Sequence, residues 1–469
     1  MSRKVMLMNK ERKLGFGEGY SKFCHDYAAG TTILSGVVQV RGALKAQTVR
    51  EALSIVQLRH PMLRAGFMDK EDDFDYFTFD EEPKTLPLTV MDRSGRDDWI
   101  DFHQKEYLTP FTDADDYLWR TTFLQNKEDE SGEHELVASF HHSTSDGISL
   151  ASFFKDFLYC CRCLADGENP DVKSLPITPS GEELLNLGTS WPAWIARNAV
   201  AAAFYLLEEN KLYGYEEHAP LQLRRTRHVY HELDREYLPL LIALCKANGV
   251  TITALFSGVL MKACNEILGT EKGKSRQIAF TPFSLRKRFD PPLGNEHLGL
   301  YVGFVNTKYR VGPKNTVWDL AARFGEQLEK GIQRDIRMPG EFRKSLGRRF
   351  LTSFDKGLLK DVFQYGVGVT NIGAIDISAR QGPFEITRIH FGTCRNWGDW
   401  LMLVHTSSLD GKLFFCSCYT EPLLGRDAAE KIMSRFVALL KGTVNESKLS
   451  APTRDRADSR AWDNRGPAE

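Results

Sequence analysis

The stretch Phe140-His141-His142-Ser143-Thr144-Ser145-Asp146-Gly147 sets two imidazoles, a carboxylate and a glycine in the spacing H-H-x-x-x-D-G. An imidazole, with an ordinary pKa of about 6.5, can take a proton from a hydroxyl or an amine near neutral pH. The stretch follows Leu136-Val137-Ala138-Ser139-Phe140, whose alternation predicts a half-buried strand. Successive strand side chains point to opposite faces, so His142 is expected to share a face with Leu136, Ala138 and Phe140, and His141 to face the other way. Ser143 to Gly147 is turn sequence, and Asp146 suits the N-cap of a helix. Leu150, Phe153, Phe157, Leu158, Cys161 and Leu164 supply that helix with an apolar stripe. Two readings follow. His142 is a base held at a strand-to-helix turn, or it is a core histidine beside a capping aspartate, and spacing alone does not separate them. A metal site made by His141, His142 and Asp146 fails because the two imidazoles diverge.

The elements that must hold this turn belong to a chain of 469 residues, which at roughly 150 residues per domain predicts two or three domains. Hydrophobic residues are 42% and charged residues 26%, a globular profile. Lys+Arg number 61 against Asp+Glu 62, so no basic excess points to nucleic acid. Nine cysteines are scattered, and Cys160-Cys161-x-Cys163 fits neither a zinc knuckle nor a redox pair, so free thiols in a cytoplasmic protein are expected. Met1 to Met8 has no apolar core of signal-peptide length, and no run reaches the ~18 apolar residues of a membrane span. The most apolar segment, Trp191 to Leu207, is interrupted by Arg197-Asn198 and reads as a packed crossover helix.

Strand-like and helix-like runs mix without a strict alternation, which predicts an α+β fold and no doubly wound nucleotide fold. Residues 1–175 are expected to form a first subdomain, and 176–226, with Pro176 and Pro179, a crossover. Residues 227–445 are assigned to a second subdomain and 446–469 to a disordered tail. Lys70 to Glu82 reads as acidic loop.

Three further blocks accompany the first. Arg59-His60-Pro61-Met62-Leu63-Arg64-Ala65-Gly66-Phe67 resembles the R-H-x-x-L-R-x-x-F motif of nonribosomal-peptide condensation domains. Val302-Gly303-Phe304-Val305-Asn306-Thr307-Lys308-Tyr309-Arg310 resembles their G-x-F-V-N-T-x-x-x-R motif. Pro110-Phe111 with Leu118-Trp119-Arg120 is similar to their P-F-D…P-L-x-R block. By this resemblance the chain is identified as a member of the chloramphenicol-acetyltransferase-like acyltransferases. Their opening motif S-x-A-Q-x-R-L-W is represented only by Glu11-Arg12-Lys13-Leu14-Gly15 and Glu18, and no D-F-G-W-G is present. With no adenylation or carrier block in the sequence either, these departures favour a free-standing acyltransferase near the polyketide-associated and alcohol acyltransferases.

The resemblance implies two α/β subdomains in a V with a tunnel between them, and His142 at its midpoint as general base. The implied reaction moves an acyl group from a CoA or carrier-protein thioester to the hydroxyl of a small-molecule acceptor. Amide formation on an amine, and a non-catalytic carrier-docking protein, are the alternatives. No permanently bound cofactor or metal is implied; the donor is a substrate, and a carrier protein would come in trans. By the family pattern Asp146 points away from substrate and pairs with Arg286, Gly147 makes room beside the imidazole, and His141 is structural. Ser284, Thr370 and Asn371 are candidates for the oxyanion or the tunnel wall. Arg348, Arg349, Lys287 and Arg288 are candidates for a rim that holds the donor's phosphates.

Overall fold

A computed structural model of the chain describes residues 11–28, 30–129, 132–185, 213–269, 275–335, 343–345, 347 and 362–450. The fold is α+β, built on two six-stranded mixed sheets and a small three-stranded one. The first large sheet takes β2 (Ile33–Arg41), β5 (Leu88–Asp92), β6 (Trp119–Gln125) and β7 (Glu133–His141) from the amino-terminal part of the chain. On one face it carries α2 (Ala46–Arg59) and α4 (Gly147–Ala165), on the other α3 (Asp98–Tyr107). The second is built from β8 (Arg225–Leu233), β9 (Ser275–Ser284), β10 (Val302–Val311), β11 (Tyr365–Ala374), β14 (Trp400–Leu409) and β15 (Lys412–Glu421). Its core is packed by α7 (Ile252–Leu268), α8 (Val317–Asp335) and α9 (Arg426–Ser450).

The elements form for local reasons. Asp146 caps α4, its carboxylate accepting from Ser149 N, and Thr251 does the same for α7 through Ala254 N. In α4, Leu150, Phe153, Phe154, Phe157 and Leu158 lose all exposure. Each such burial is worth ~1.5–3 kcal/mol against an exposed side chain, which anchors the turn before the helix. The strands β2 and β14 are buried on both faces, which is why their sequences run apolar instead of alternating.

Three expectations change. The 227–445 segment is not confined to the second sheet. Its β12 (Arg380–Gln381) and β13 (Phe384–Thr393) join the first, and β13 pairs with β2 from Glu385↔Arg41 to Thr393↔Leu34. An unfilled edge of β2 offers a full row of ladder hydrogen bonds to a distant strand, and linear sequence does not show that pairing. The 70–82 stretch holds a strand, β4 (Asp75–Phe79), which pairs with β3 (Ala65–Asp69) and β1 (Glu11–Lys13) despite its acidic flanks. The helix α9 continues through 446–450, so the tail begins later than the sequence suggests. Residues 451–469 and the apolar segment Trp191 to Leu207 lie outside the described residues. Among the described residues no single helix is long and apolar enough to cross a membrane.

Candidate active site

The strand β7 stops at His141, so the direction of His142 is set by the turn rather than by strand alternation. His142 N donates to Thr32 O at 3.0 Å. Its Nδ1 lies 2.7 Å from Ser145 O. A carbonyl only accepts, so the ring's proton sits on Nδ1 and the Nε2 lone pair is left for chemistry. Desolvation is the largest influence on the imidazole and lowers its pKa, against a smaller raising effect of the Ser145 carbonyl. The ring is therefore neutral at pH 7. It nevertheless keeps some solvent-accessible surface.

His141 is also desolvated, but it is held by different partners. Its Nδ1 accepts from Ser143 N at 3.1 Å and lies 2.7 Å from Ser143 Oγ. Its ring is buried against His25, 4.4 Å between centroids, and Phe67 at 5.0 Å.

Asp146 is turned into protein. Its Oδ1 accepts from Ser149 N at 2.8 Å and from Arg286 Nη2 at 3.1 Å, and its Oδ2 accepts from Tyr301 N at 3.1 Å. Arg286 Nη1 donates to Gly294 O and His297 O at 3.2 and 2.9 Å. Its Nη2 also reaches Ser149 Oγ at 2.8 Å, and its guanidinium lies over the Tyr301 ring at 4.7 Å. The pair thus ties the cap of α4 to the second half of the chain. Ser284 serves the same lock, its Oγ accepting from Arg286 N at 3.3 Å. At Gly147 the reason for glycine is room, not a left-handed backbone: a Cβ there would stand 3.2 Å from the side chain of Ile372 on β11.

Of the two candidates on β11, the structure separates one from the other. Thr370 pairs with His405 across the sheet and lies on the face opposite Val367 and Val369 of the core. Asn371 is corrected. Its amide donates to Thr253 Oγ1 and accepts from Gly373 N and Thr406 Oγ1, each at 2.9 Å, because a bulge between Asn371 and Gly373 turns it toward the start of α7. Lys287 and Arg288 are exposed beside the lock. Arg348 and Arg349 lie outside the described residues. Lys344, from the same cluster, is committed to Asp69 and to the carbonyls of Lys70 and Asp72.

Sequence reasoning missed three neighbours of His142. Thr32 adopts a φ of 71°, a conformation costing ~1–3 kcal/mol in a β-branched residue. It links His142 to Cys394, whose carbonyl accepts from Thr32 N at 2.9 Å. Arg395 follows Cys394, and its charge opposes protonation of His142. His405 is the third; burial, with a smaller lowering effect of His142, pushes its pKa down to about 4. Only Arg395 left a readable trace, the i, i+4 pairing with Asp399.

Two family models match the chain. That described as the condensation domain covers residues 30–178, and that described as the phthiocerol/phthiodiolone dimycocerosyl transferase C-terminus covers 223–398. Among curated proteins, cyclosporin synthetase of Tolypocladium inflatum is 28% identical over 142 residues, 30% of this chain and 1% of that protein. PF 1022-synthetase of a Rosellinia species is 31% identical over 120 residues, 25% of this chain and 4% of that protein. The chain thus spans only a few per cent of the length of these relatives. Among solved structures, the first condensation domain of the calcium-dependent antibiotic synthetase superposes with a TM-score of 0.68 at 14% identity, covering 93% of this chain and 97% of that one. Polyketide synthase associated protein 5 from Mycobacterium tuberculosis gives 0.66 at 15% identity, covering 93% and 98%. The TRI3 trichothecene 15-O-acetyltransferase from Fusarium sporotrichioides gives 0.67 at 13% identity, covering 92% and 95%.

Proposed function

The chain is a condensation-domain-like acyltransferase of the chloramphenicol-acetyltransferase-like superfamily, and from that premise we propose that it esterifies a small-molecule hydroxyl with an acyl group from a CoA or carrier-protein thioester. One observation carries the reading. His142 keeps part of its surface accessible and carries its lone pair on Nε2, because the Ser145 carbonyl fixes the ring's proton on Nδ1. As the acceptor oxygen attacks the thioester carbon, its proton passes to Nε2 and a tetrahedral oxyanion forms. Collapse breaks the C–S bond, and the same proton goes to the departing thiolate. The thioester leaves readily, so no covalent enzyme intermediate is required.

Oxygen is favoured over nitrogen as the nucleophile. An ammonium acceptor would have to enter a desolvated site and lose a proton before it could attack. The name of the trichothecene 15-O-acetyltransferase, a protein of the same fold, agrees with an oxygen acceptor. The nine free, buried cysteines suit a reducing cytoplasm, where CoA and carrier thioesters are available.

The test is mass spectrometry of the full chain incubated with a panel of acyl-CoAs and mixed alcohols and amines. Ester products are expected. His142→Ala should lower turnover by ~10²–10⁴-fold, the usual worth of a general base, with the melting temperature nearly unchanged. His141→Ala should lose stability before it loses chemistry. Equal turnover in the two variants would reassign the base.

A further inference from the structure

Near His142 lies a second arginine–aspartate pair, Arg395 and Asp399. Arg395 Nη2 donates to Asp399 Oδ2 at 2.5 Å. Their side chains keep 22% and 12% of their accessible surface, although both sit deep in the molecule. Arg395 Nε, Asp399 Oδ1 and Trp400 Nε1 are buried without hydrogen-bond partners. Among the described residues, Asp399 is the one side chain that the guanidinium bonds. Buried donors and acceptors left open cost free energy, and three gather here against one, Arg286 Nε, at the Asp146–Arg286 pair.

The pair shares the end of the first sheet with the base. His142 N bonds Thr32 O, and Thr32 N bonds Cys394 O. One strand therefore separates His142 from Arg395, about 10 Å between backbones at ~4.8 Å per strand. From Arg395 an aromatic strip runs across the second sheet. The guanidinium stacks on Trp400, 4.8 Å from its centroid. Phe280 lies 4.9 Å from Trp400 and 4.9 Å from Tyr365, and Phe304 lies 4.8 Å from Phe280. Phe280, Tyr365 and Phe304 keep part of their surface accessible.

Charge decides what the polar end accepts. Arg395 and Asp399 cancel, and His142 and His405 are both held neutral by burial. A carboxylate would bring an uncompensated charge onto desolvated ground, whereas an uncharged carbonyl oxygen takes a guanidinium N–H and leaves the balance intact.

We propose that this strip is a substrate subsite for an uncharged carbonyl group carried on an apolar, ring- or chain-like body, with Arg395 donating to the carbonyl oxygen and Trp400, Phe280, Tyr365 and Phe304 packing the body. The subsite deepens the acyl-transfer reading of His142 and rests on it for its place in a reaction. Binding, however, is measurable without turnover.

Three probes share one body: 4-phenylbutanamide, 4-phenylbutyrate and butylbenzene. Titration calorimetry on the full chain should show the amide bound at least tenfold tighter than either of the others. Arg395→Gln should abolish that margin. Phe280→Ala should weaken all three probes by a similar factor. Asp399→Asn leaves the guanidinium uncompensated and should invert the order, with 4-phenylbutyrate bound tightest. This inversion keeps the test decisive if Arg395→Gln fails to fold. Two results would overturn the subsite: the same order of probes in wild type and Asp399→Asn, or tightest binding of the carboxylate by the wild type. Should the chain show the predicted selectivity yet transfer no acyl group, the acyl-transfer reading falls and the subsite stands. Should His142-dependent transfer occur without selectivity, only the subsite falls. If selectivity holds, the substrate whose Michaelis constant rises in Phe280→Ala, acyl donor or acceptor, is the one that carries the group.

Discussion

Two arginine–aspartate pairs flank His142, and they are finished differently. Asp146 and Arg286 stand 140 residues apart in sequence, with side chains 2% and 1% accessible. Both carboxylate oxygens accept two or more hydrogen bonds, and the guanidinium adds two backbone carbonyls and Ser149. Arg395 and Asp399 stand four apart, make one ion pair, and leave donors and an acceptor open. The same two residue types are therefore finished to different degrees. The Asp146–Arg286 pair leaves one polar atom open, Arg286 Nε, whereas the other leaves Arg395 Nε and Asp399 Oδ1 open beside Trp400 Nε1. What separates the two pairs is the degree of hydrogen-bond saturation and the exposure, 1% and 2% in the first against 22% and 12% in the second, not residue type.

The contrast is tested first by stability. Asp146→Ala strands a buried guanidinium and three further donors, Ser149 N, Ser149 Oγ and Tyr301 N, and should cost ~3–5 kcal/mol in urea denaturation, taking activity with it. Asp399→Asn keeps an oxygen for Arg395 and should cost under ~2 kcal/mol. Comparable losses in the two variants would erase the distinction between lock and subsite. A smaller effect belongs to Ser149, whose Oγ accepts from Arg286 Nη2 at 2.8 Å and from Gly299 N at 3.1 Å. Ser149→Ala should cost ~1–3 kcal/mol, the price of two buried donors left unpaired, with little change in the Michaelis constants. A Ser149→Ala protein of full stability would mean that water or a shifted neighbour fills the lock.

Much of this site was legible because its parts are local. The turn, the Asp146 cap and the apolar stripe of α4 lie within a score of consecutive residues, and their types dictate their conformation. His142 and Asp146 were readable for that reason, and Arg286 through the family resemblance. The rest depends on pairing at a distance. Nothing in Phe384 to Thr393 announces that it will complete the first sheet, yet this crossing delivers Arg395 to the end of the strand beside Thr32. Asn371 entered as an oxyanion or tunnel-wall candidate through the family resemblance, which carries no information on its local backbone. The bulge that turns its amide toward Thr253 is a property of the sheet, not of the tetrapeptide.

The smallest expected effect is also the most specific to the open pair, and it is read in the pH dependence of kcat/KM. Burial lowers the pKa of His142, so its basic form persists below the usual imidazole range. The acid limb of the free-enzyme profile should accordingly lie below pH ~6.5, with a plateau through neutrality. The signs for the pair are fixed by charge. Arg395 opposes a proton on His142. Replacing it by Gln removes that opposition, raises the imidazole pKa and moves the limb to higher pH. Asp399→Asn removes the negative charge that offsets Arg395, lowers the pKa and moves the limb to lower pH. Damage to the fold would depress the plateau in both variants, but it has no means of moving the limb in opposite directions. Limbs that coincide with the wild type in both variants would place the pair outside the electrostatic reach of the base.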